Sequence, residues 1–148
     1  RERQLREQFD IVLIDCPPNL GNLTLNALTA ADGCLVPCDM SVLALSGVGD
    51  LMSVVDTVRE RLGCRVSVLG VLPTRVDRRN VKVTEAVMDG LFGSYGPLVC
   101  STRIPVSSAL ARAQMEGVNV FDYDAASSGA EAYEALAGEV LDRLERVG

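Results

Sequence analysis

The stretch Asp10-Ile-Val-Leu-Ile-Asp-Cys-Pro-Pro-Asn-Leu-Gly21 decides how the rest of the chain is read. Ile11 to Asp15 has almost no polar face, the pattern of a strand buried on both sides within a parallel sheet. It ends on a carboxylate, Asp15, where a strand leaves the core. Pro17 and Pro18 stop any ladder because neither carries a backbone N–H. Asn19-Leu-Gly21 makes a turn, and Asn22 to Ala31 has the composition to start a helix. Ligands of open α/β sheets bind at the carboxyl ends of strands. A carboxylate there either caps the turn or holds a metal-bound water or a phosphate-linked Mg²⁺, and geometry alone leaves both open.

Working outward, strands alternate with helices. Arg1 to Gln8 is charged, with Leu5 and Phe9 on one helical face. Gly33 to Pro37 is a second buried strand, followed by a loop at Asp39-Met-Ser41. Ala44 to Leu62 is an amphipathic helix with Leu51, Val54, Val55, Val58 and Leu62 on one face, and Gly63 suits its C-cap. Val66 to Leu72 is a third buried strand, ending in Pro73-Thr-Arg-Val-Asp77. Val83 to Tyr95 is helical, Leu98 to Cys100 a short fourth strand, and Ser107 to Met115 a helix after the Ile104-Pro105 turn. Residues 117–123 read as irregular. The final helix follows Ser127-Ser-Gly129, its apolar stripe running from Tyr133 through Leu136, Val140 and Leu144. The pattern predicts an α/β fold: a doubly wound, mostly parallel sheet with helices on both faces, in a single domain over residues 1–148.

Composition narrows the chemistry. The 148 residues are 48% hydrophobic and 23% charged, enough for a domain with its own core. No apolar run approaches a membrane span. There is no histidine, which removes imidazole catalysis and histidine metal sites. The five cysteines are scattered through apolar stretches and fit reduced, buried thiols in the cytosol. Cys34 and Cys38 lie four apart but lack companion ligands. The net charge of −6 does not mark a nucleic-acid protein, although a local patch can do that work. Lys82 is the single lysine and follows Val81, so the Gly-Lys-[Ser/Thr] ending of a phosphate-binding P-loop does not occur.

The run from Asp10 to Asp32, continued by Leu35-Val-Pro-Cys38, resembles the ParA/Soj branch of the ParA/MinD partition ATPases. Asp15-Cys16-Pro17-Pro18 resembles that family's switch II, and Leu23 to Asp32 the helix after it. Several motifs in family order carry the resemblance, which continues more thinly to the C-terminus. It implies the C-terminal portion of a P-loop NTPase-like domain, with roughly 100 further residues holding the P-loop, its lysines and switch I. For Asp15 it implies a catalytic role, contacting the Mg²⁺ shell through water. The Pro-Pro turn would sense the γ-phosphate. Thr74 and Arg75, and the turn Ile104-Pro105-Val106, fall where the family lines the nucleotide, and an immobile proline turn suits a flat base.

Arg75, Arg78, Arg79 and Lys82 place four positive charges within eight residues, opposed by Asp77. Arg79 falls where the family has a basic residue implicated in non-specific DNA binding, so Arg78, Arg79, Lys82 and Arg103 are candidate phosphate contacts. The family usually carries two arginines where this chain has Val106 and Ala109. The acidic side of the last helix (Glu131, Glu134, Glu139, Asp142, Glu145) reads as solvated.

The complete protein implied by the resemblance binds ATP and Mg²⁺, dimerises with ATP, binds DNA non-specifically and answers to a ParB-like centromere-binding partner. It would segregate a plasmid or chromosome from a cytoplasmic, nucleoid-associated pool, with no membrane role. Residues 1–148 alone are expected not to hydrolyse ATP. One alternative is a non-catalytic remnant or interaction module without hydrolysis. Another is a relative that positions a different cargo.

Overall fold

The computed structural model describes residues 7–77 and 79–146. The elements are α1 (Asn22–Ala30), β1 (Gly33–Asp39), α2 (Val42–Leu62), β2 (Ser67–Thr74), α3 (Val81–Tyr95), a 3₁₀ turn (Gly96–Leu98), α4 (Ser108–Glu116), α5 (Val120–Asp124) and α6 (Ser128–Glu145). β1 and β2 pair in parallel from Gly33 opposite Ser67 to Asp39 opposite Thr74, with one irregularity between Cys34 and Leu35.

Local chemistry explains the β1–α2–β2 unit. Ser41 caps α2, its hydroxyl accepting from the Ala44 N–H at 3.2 Å. Gly63 ends the helix at φ 66°, a left-handed conformation that glycine adopts without steric cost. Arg59 Nε, in the last turn, donates to the Val66 carbonyl at 2.7 Å and ties the helix end to the start of β2.

Alternation along the strands sends side chains to two cores. Val36, Cys38 and Val71 pack with Val48 of α2 and with Val87, Met88 and Leu91 of α3. Leu35 and Leu72 face the other way, against Ile104, Leu110, Leu136 and Val140, so α4 and α6 cover the opposite side. A third group joins Leu28 of α1 to Val55, Val58 and Val66. Val55, Val66, Val71 and Leu91 are 0% exposed, and each such side chain contributes about 1.5–3 kcal/mol through burial. The α/β class read from the sequence therefore holds, with helices on both faces of a parallel sheet.

Four expectations need correction. Ile11–Asp15 is not a buried strand. Residues 11–17 carry no regular structure, and Ile11, Val12, Leu13 and Ile14 are 50%, 47%, 89% and 49% exposed. Branched side chains and the residue before Pro17 favour extended backbone locally, but burial needs neighbouring strands, which the described residues do not place beside it. The expected fourth strand, Leu98 to Cys100, does not form: Leu98 ends the 3₁₀ turn and Val99 makes an isolated bridge. Pro97 donates no hydrogen bond, and pairing is limited to a bridge between Val71 and Val99, with the Cys100 N–H on the Val71 carbonyl at 2.8 Å. β2 runs two residues beyond Leu72 to Thr74. The segment read as irregular contains α5, started by Asn119, whose side chain accepts from the Asp122 N–H at 2.9 Å. Of the N-terminal helix, residues 7 and 8 are helical; residues 1–6 lie outside the described residues.

Candidate functional site

β2 delivers its last residues to the carboxyl end of the sheet, where a second loop meets them. The Ile104 N–H donates to the Pro73 carbonyl at 2.9 Å, the Val76 N–H to the Ile104 carbonyl at 3.0 Å, and the Val106 N–H to the Val76 carbonyl at 3.1 Å. Val76 and Pro105 form a parallel bridge. The two loops named from the sequence, 73–77 and 104–106, are thus joined edge to edge. Between them lies an open cavity of about 280 Å³ lined by Val76, Asp77, Arg79, Pro105, Val106 and Ser128. Its walls are apolar at Val76, Pro105 and Val106, and polar at Asp77, Arg79 and Ser128. Partly apolar concave surfaces with a few convergent polar groups suit a small organic ligand.

Placement differs residue by residue from the sequence reading. Pro105 and Val106 line the cavity. Ile104 is 5% exposed and packs inward with Leu72, Cys100 and Leu136, so it supports the wall rather than forming its surface. Thr74 ends β2 and Arg75 follows, neither lining the cavity. Arg75 has φ 53°, uncommon outside glycine, and its Nε lies 3.9 Å from Asp39 Oδ2 at the end of the neighbouring strand. Asp77, Arg79 and Ser128 were not assigned to this site from the sequence. Asp77 was in view within its loop; Ser128, 51 positions further along the chain, gives no local signal.

Arg79 is held by Asp77. Its Nε and Nη2 donate to Oδ1 at 3.1 Å and Oδ2 at 3.0 Å, and its backbone N–H also reaches Oδ1 at 2.9 Å. The side-chain hydrogen bond from Arg79 is the main reason the Asp77 carboxyl sits below its ordinary range, and the same bond raises Arg79. Lys82 and Arg103 are exposed; Arg78 lies outside the described residues. Ala109 is 8% exposed, packed with Ala113, Val120 and Ala130, while Val106 is on the surface.

Asp15 is exposed at the end of the extended segment, with Cys16, Pro17 and Pro18 behind it. The turn after it is well built: the Asn19 N–H donates to the Pro17 carbonyl at 2.8 Å, and Thr24 Oγ1 donates to the Asn19 carbonyl at 2.6 Å. Asp15 does not line the cavity. Burial raises the Cys34, Cys38 and Cys100 thiols, Cys100 to about 11, so these are not thiolates at neutral pH. Among the described residues there is no cluster of three or more cysteine or acidic side chains able to hold a metal, and no helix long and apolar enough to cross a membrane.

Glu139 departs from the solvated acidic face expected of α6. It and Arg143 are each only 16% exposed and pair at 2.8 Å. Burial alone would raise the Glu139 carboxyl. Hydrogen bonds from Thr102, Ser101 and Arg143 outweigh it and hold the group at about 2. The i,i+4 spacing was visible in the sequence; the partners, more than thirty residues away, were not.

A family model described as an AAA domain matches residues 2–68. The chromosome-partitioning ATPase Soj of Thermus thermophilus is 39% identical over 145 residues, covering 98% of this chain and 58% of the relative. Apo McdA from Cyanthece superposes with a TM-score of 0.77 over 98% of this chain and 55% of the other, at 21% identity, which speaks to the fold. Cobyrinic acid a,c-diamide synthase from Mycobacterium smegmatis, solved with a bound ATP analog and magnesium, gives a TM-score of 0.72 at 33% identity over 95% of this chain and 52% of that one. The chain spans about half the length of the relatives it matches. Its motifs, its α/β fold and these likenesses agree in supporting a portion of a ParA/Soj-type partition ATPase.

Proposed function

We propose that residues 1–148 form a single domain portion that supplies switch II and the base-binding wall of a ParA-type ATPase. The observation that carries this is the joining of loops 73–77 and 104–106 around one cavity at the carboxyl end of a parallel sheet. In this reading the base lies against Val76, Pro105 and Val106, with Thr74 and Arg75 shaping the approach. Mg²⁺, when bound, would offset phosphate charge, and Asp15 is the residue that would hold it through water. The residues present fit nucleotide and Mg²⁺ in part: the cavity is open and mixed in polarity, and Asp15 is accessible. The phosphates would be met by a P-loop, whose Gly-Lys-[Ser/Thr] ending is not in this sequence. The complete protein would dimerise with ATP and bind DNA non-specifically through Lys82, Arg103, Arg78 and any Arg79 released from Asp77. A ParB-like partner would stimulate it, and it would work in the cytoplasm on the nucleoid.

The test uses the protein carried to the length of its relatives. Ser128 is exposed at the start of α6 and lines the cavity, so Ser128→Trp fills the space without disturbing the core. Affinity for a fluorescent Mg·ATP analogue should fall at least about tenfold. Undiminished affinity would remove the base from this cavity.

A further inference from the structure

One side-chain pair outside the cavity binds the loop that leads to its wall. Arg143 of α6 reaches into the turn after α3. Its Nη1 donates to the Leu69 carbonyl of β2 at 2.7 Å and to the Leu98 and Pro97 carbonyls at 3.3 and 3.5 Å. Its Nη2 donates to the Val99 carbonyl at 3.1 Å and to Glu139 Oε1 at 2.8 Å. Its Nε donates to the same Oε1 at 3.1 Å. Glu139 carries the network forward: Oε1 accepts from the Ser101 N–H at 2.9 Å and Oε2 from the Thr102 N–H at 2.8 Å.

Space for this arrangement comes from Gly70. A Cβ there would stand 3.0 Å from Arg143 Nη1, 3.0 Å from the Leu98 carbonyl oxygen and 2.7 Å from Cys100 Sγ. Five backbone groups between Pro97 and Thr102 are therefore bound to two side chains of one helix. Two residues beyond Thr102 the loop reaches Ile104, and from Ile104 to Val106 it is pinned to the 73–76 segment. Segment 97–106 is held at its start by α6 together with Val71 of β2, and at its finish by the end of β2. The cavity wall at Pro105 and Val106 belongs to the second of these, beginning three residues beyond Thr102.

We propose that Glu139 and Arg143 are positioning residues for the nucleotide base: α6, through this pair, sets where the Pro105–Val106 wall stands. The proposal rests on the reading of the cavity as the base site. Neither residue lines that cavity, so the effect passes through the loop. An anionic carboxylate is needed, because both oxygens accept and neither donates. Coupling of this kind is reciprocal: a wall that favours the base is itself steadied by the base.

The decisive experiment compares wild type and Glu139→Gln in the protein carried to the length of its relatives. Gln keeps the shape but replaces one acceptor with a donor facing an N–H. We expect the KM for Mg·ATP to rise by about tenfold, within the usual range for coupling between sites, with kcat changed less than about twofold. Inorganic triphosphate has phosphates and no base, so its competitive binding should not change. Equal losses for ATP and triphosphate would make the pair a general fold element and overturn the proposal, as would an unchanged KM. If Glu139→Gln does not fold, hydrogen exchange on the wild type decides. Saturating Mg·ATP should slow exchange at the Ser101 and Thr102 amides by about the same tenfold factor, and no change there overturns it. A Ser128→Trp protein that keeps full ATP affinity would defeat the base-site reading itself, and this proposal with it. Loss in Ser128→Trp with none in Glu139→Gln defeats the proposal alone.

Discussion

Asp77 and Arg79 show how a charge count differs from a charge distribution. The sequence places Arg79 in a basic cluster, yet three hydrogen bonds from Arg79 to the Asp77 carboxylate occupy its guanidinium and backbone N–H. A neutralised arginine releases few counterions from DNA. Asp77→Asn in a DNA-competent parent should therefore strengthen binding to unrelated sequences equally, and steepen the salt dependence by up to roughly one unit. Fluorescence anisotropy with two unrelated duplexes across a salt series measures both. Weaker or unchanged binding would mean that Arg79 does not face DNA. Arg75, also in the cluster, is turned by its positive φ toward Asp39. The former family-arginine position at Ala109 is core, where a charged side chain would be costly.

Among the elements, α6 has the most to say about pH. Glu139 is held at about 2 in the folded chain, against about 4.3 for a free glutamate. A folded value below the unfolded one gives stability that is present above pH ~4.3 and lost as pH falls toward 2. The difference is worth on the order of 3 kcal/mol for this largely buried group. Urea midpoints of the full-length protein should fall between pH 5 and pH 3, and fall less in Glu139→Gln. Equal acid sensitivity would assign the loss to other carboxylates. The same helix marks what the sequence could convey. Its apolar stripe, the α2 face and the buried character of β1 and β2 were legible, because each follows from local periodicity and from side chains that have nowhere else to go. The two loops of the cavity were legible as a resemblance. Ser128, Glu139 and the inward turn of Arg143 were not, because their partners lie 37 to 74 residues away or across a cavity. Ile11–Asp15 was read as buried because its composition reports what the segment prefers to contact, not whether a neighbour is there.

At the scale of the molecule, that preference has a cost. Ile11 to Ile14 present exposed apolar side chains and, among the described residues, form no strand pairing, with neither a charge nor a proline among them, an arrangement that favours pairing with another chain. Val42 and Leu43 add further apolar surface at 75% and 86% exposure. Residues 1–148 made alone should self-associate, seen as a sedimentation coefficient rising with concentration; a stable monomer with sharp cooperative unfolding would show that the fold closes by itself. A different consequence follows from the pairing of β1 with β2 across α2. Helix formation is fast, on the order of a microsecond, so α2 shortens the gap between the two strands early, and the β1–α2–β2 unit is the natural first structure on the folding pathway. Its contacts with α6 are of another kind: Glu139 meets Ser101 at a separation of 38 residues, and Arg143 meets Leu69 at 74. Chain-closure entropy places such contacts late, and synthesis from the N-terminus delivers α6 after everything it must hold. The loop leading to the cavity wall thus acquires its contacts with Glu139 and Arg143 only when α6 docks. A nascent chain can join the two loops through their own hydrogen bonds, but Ser128 of the cavity lining and the hold on residues 97–102 arrive only with α6, so the place is completed after its two loops have met.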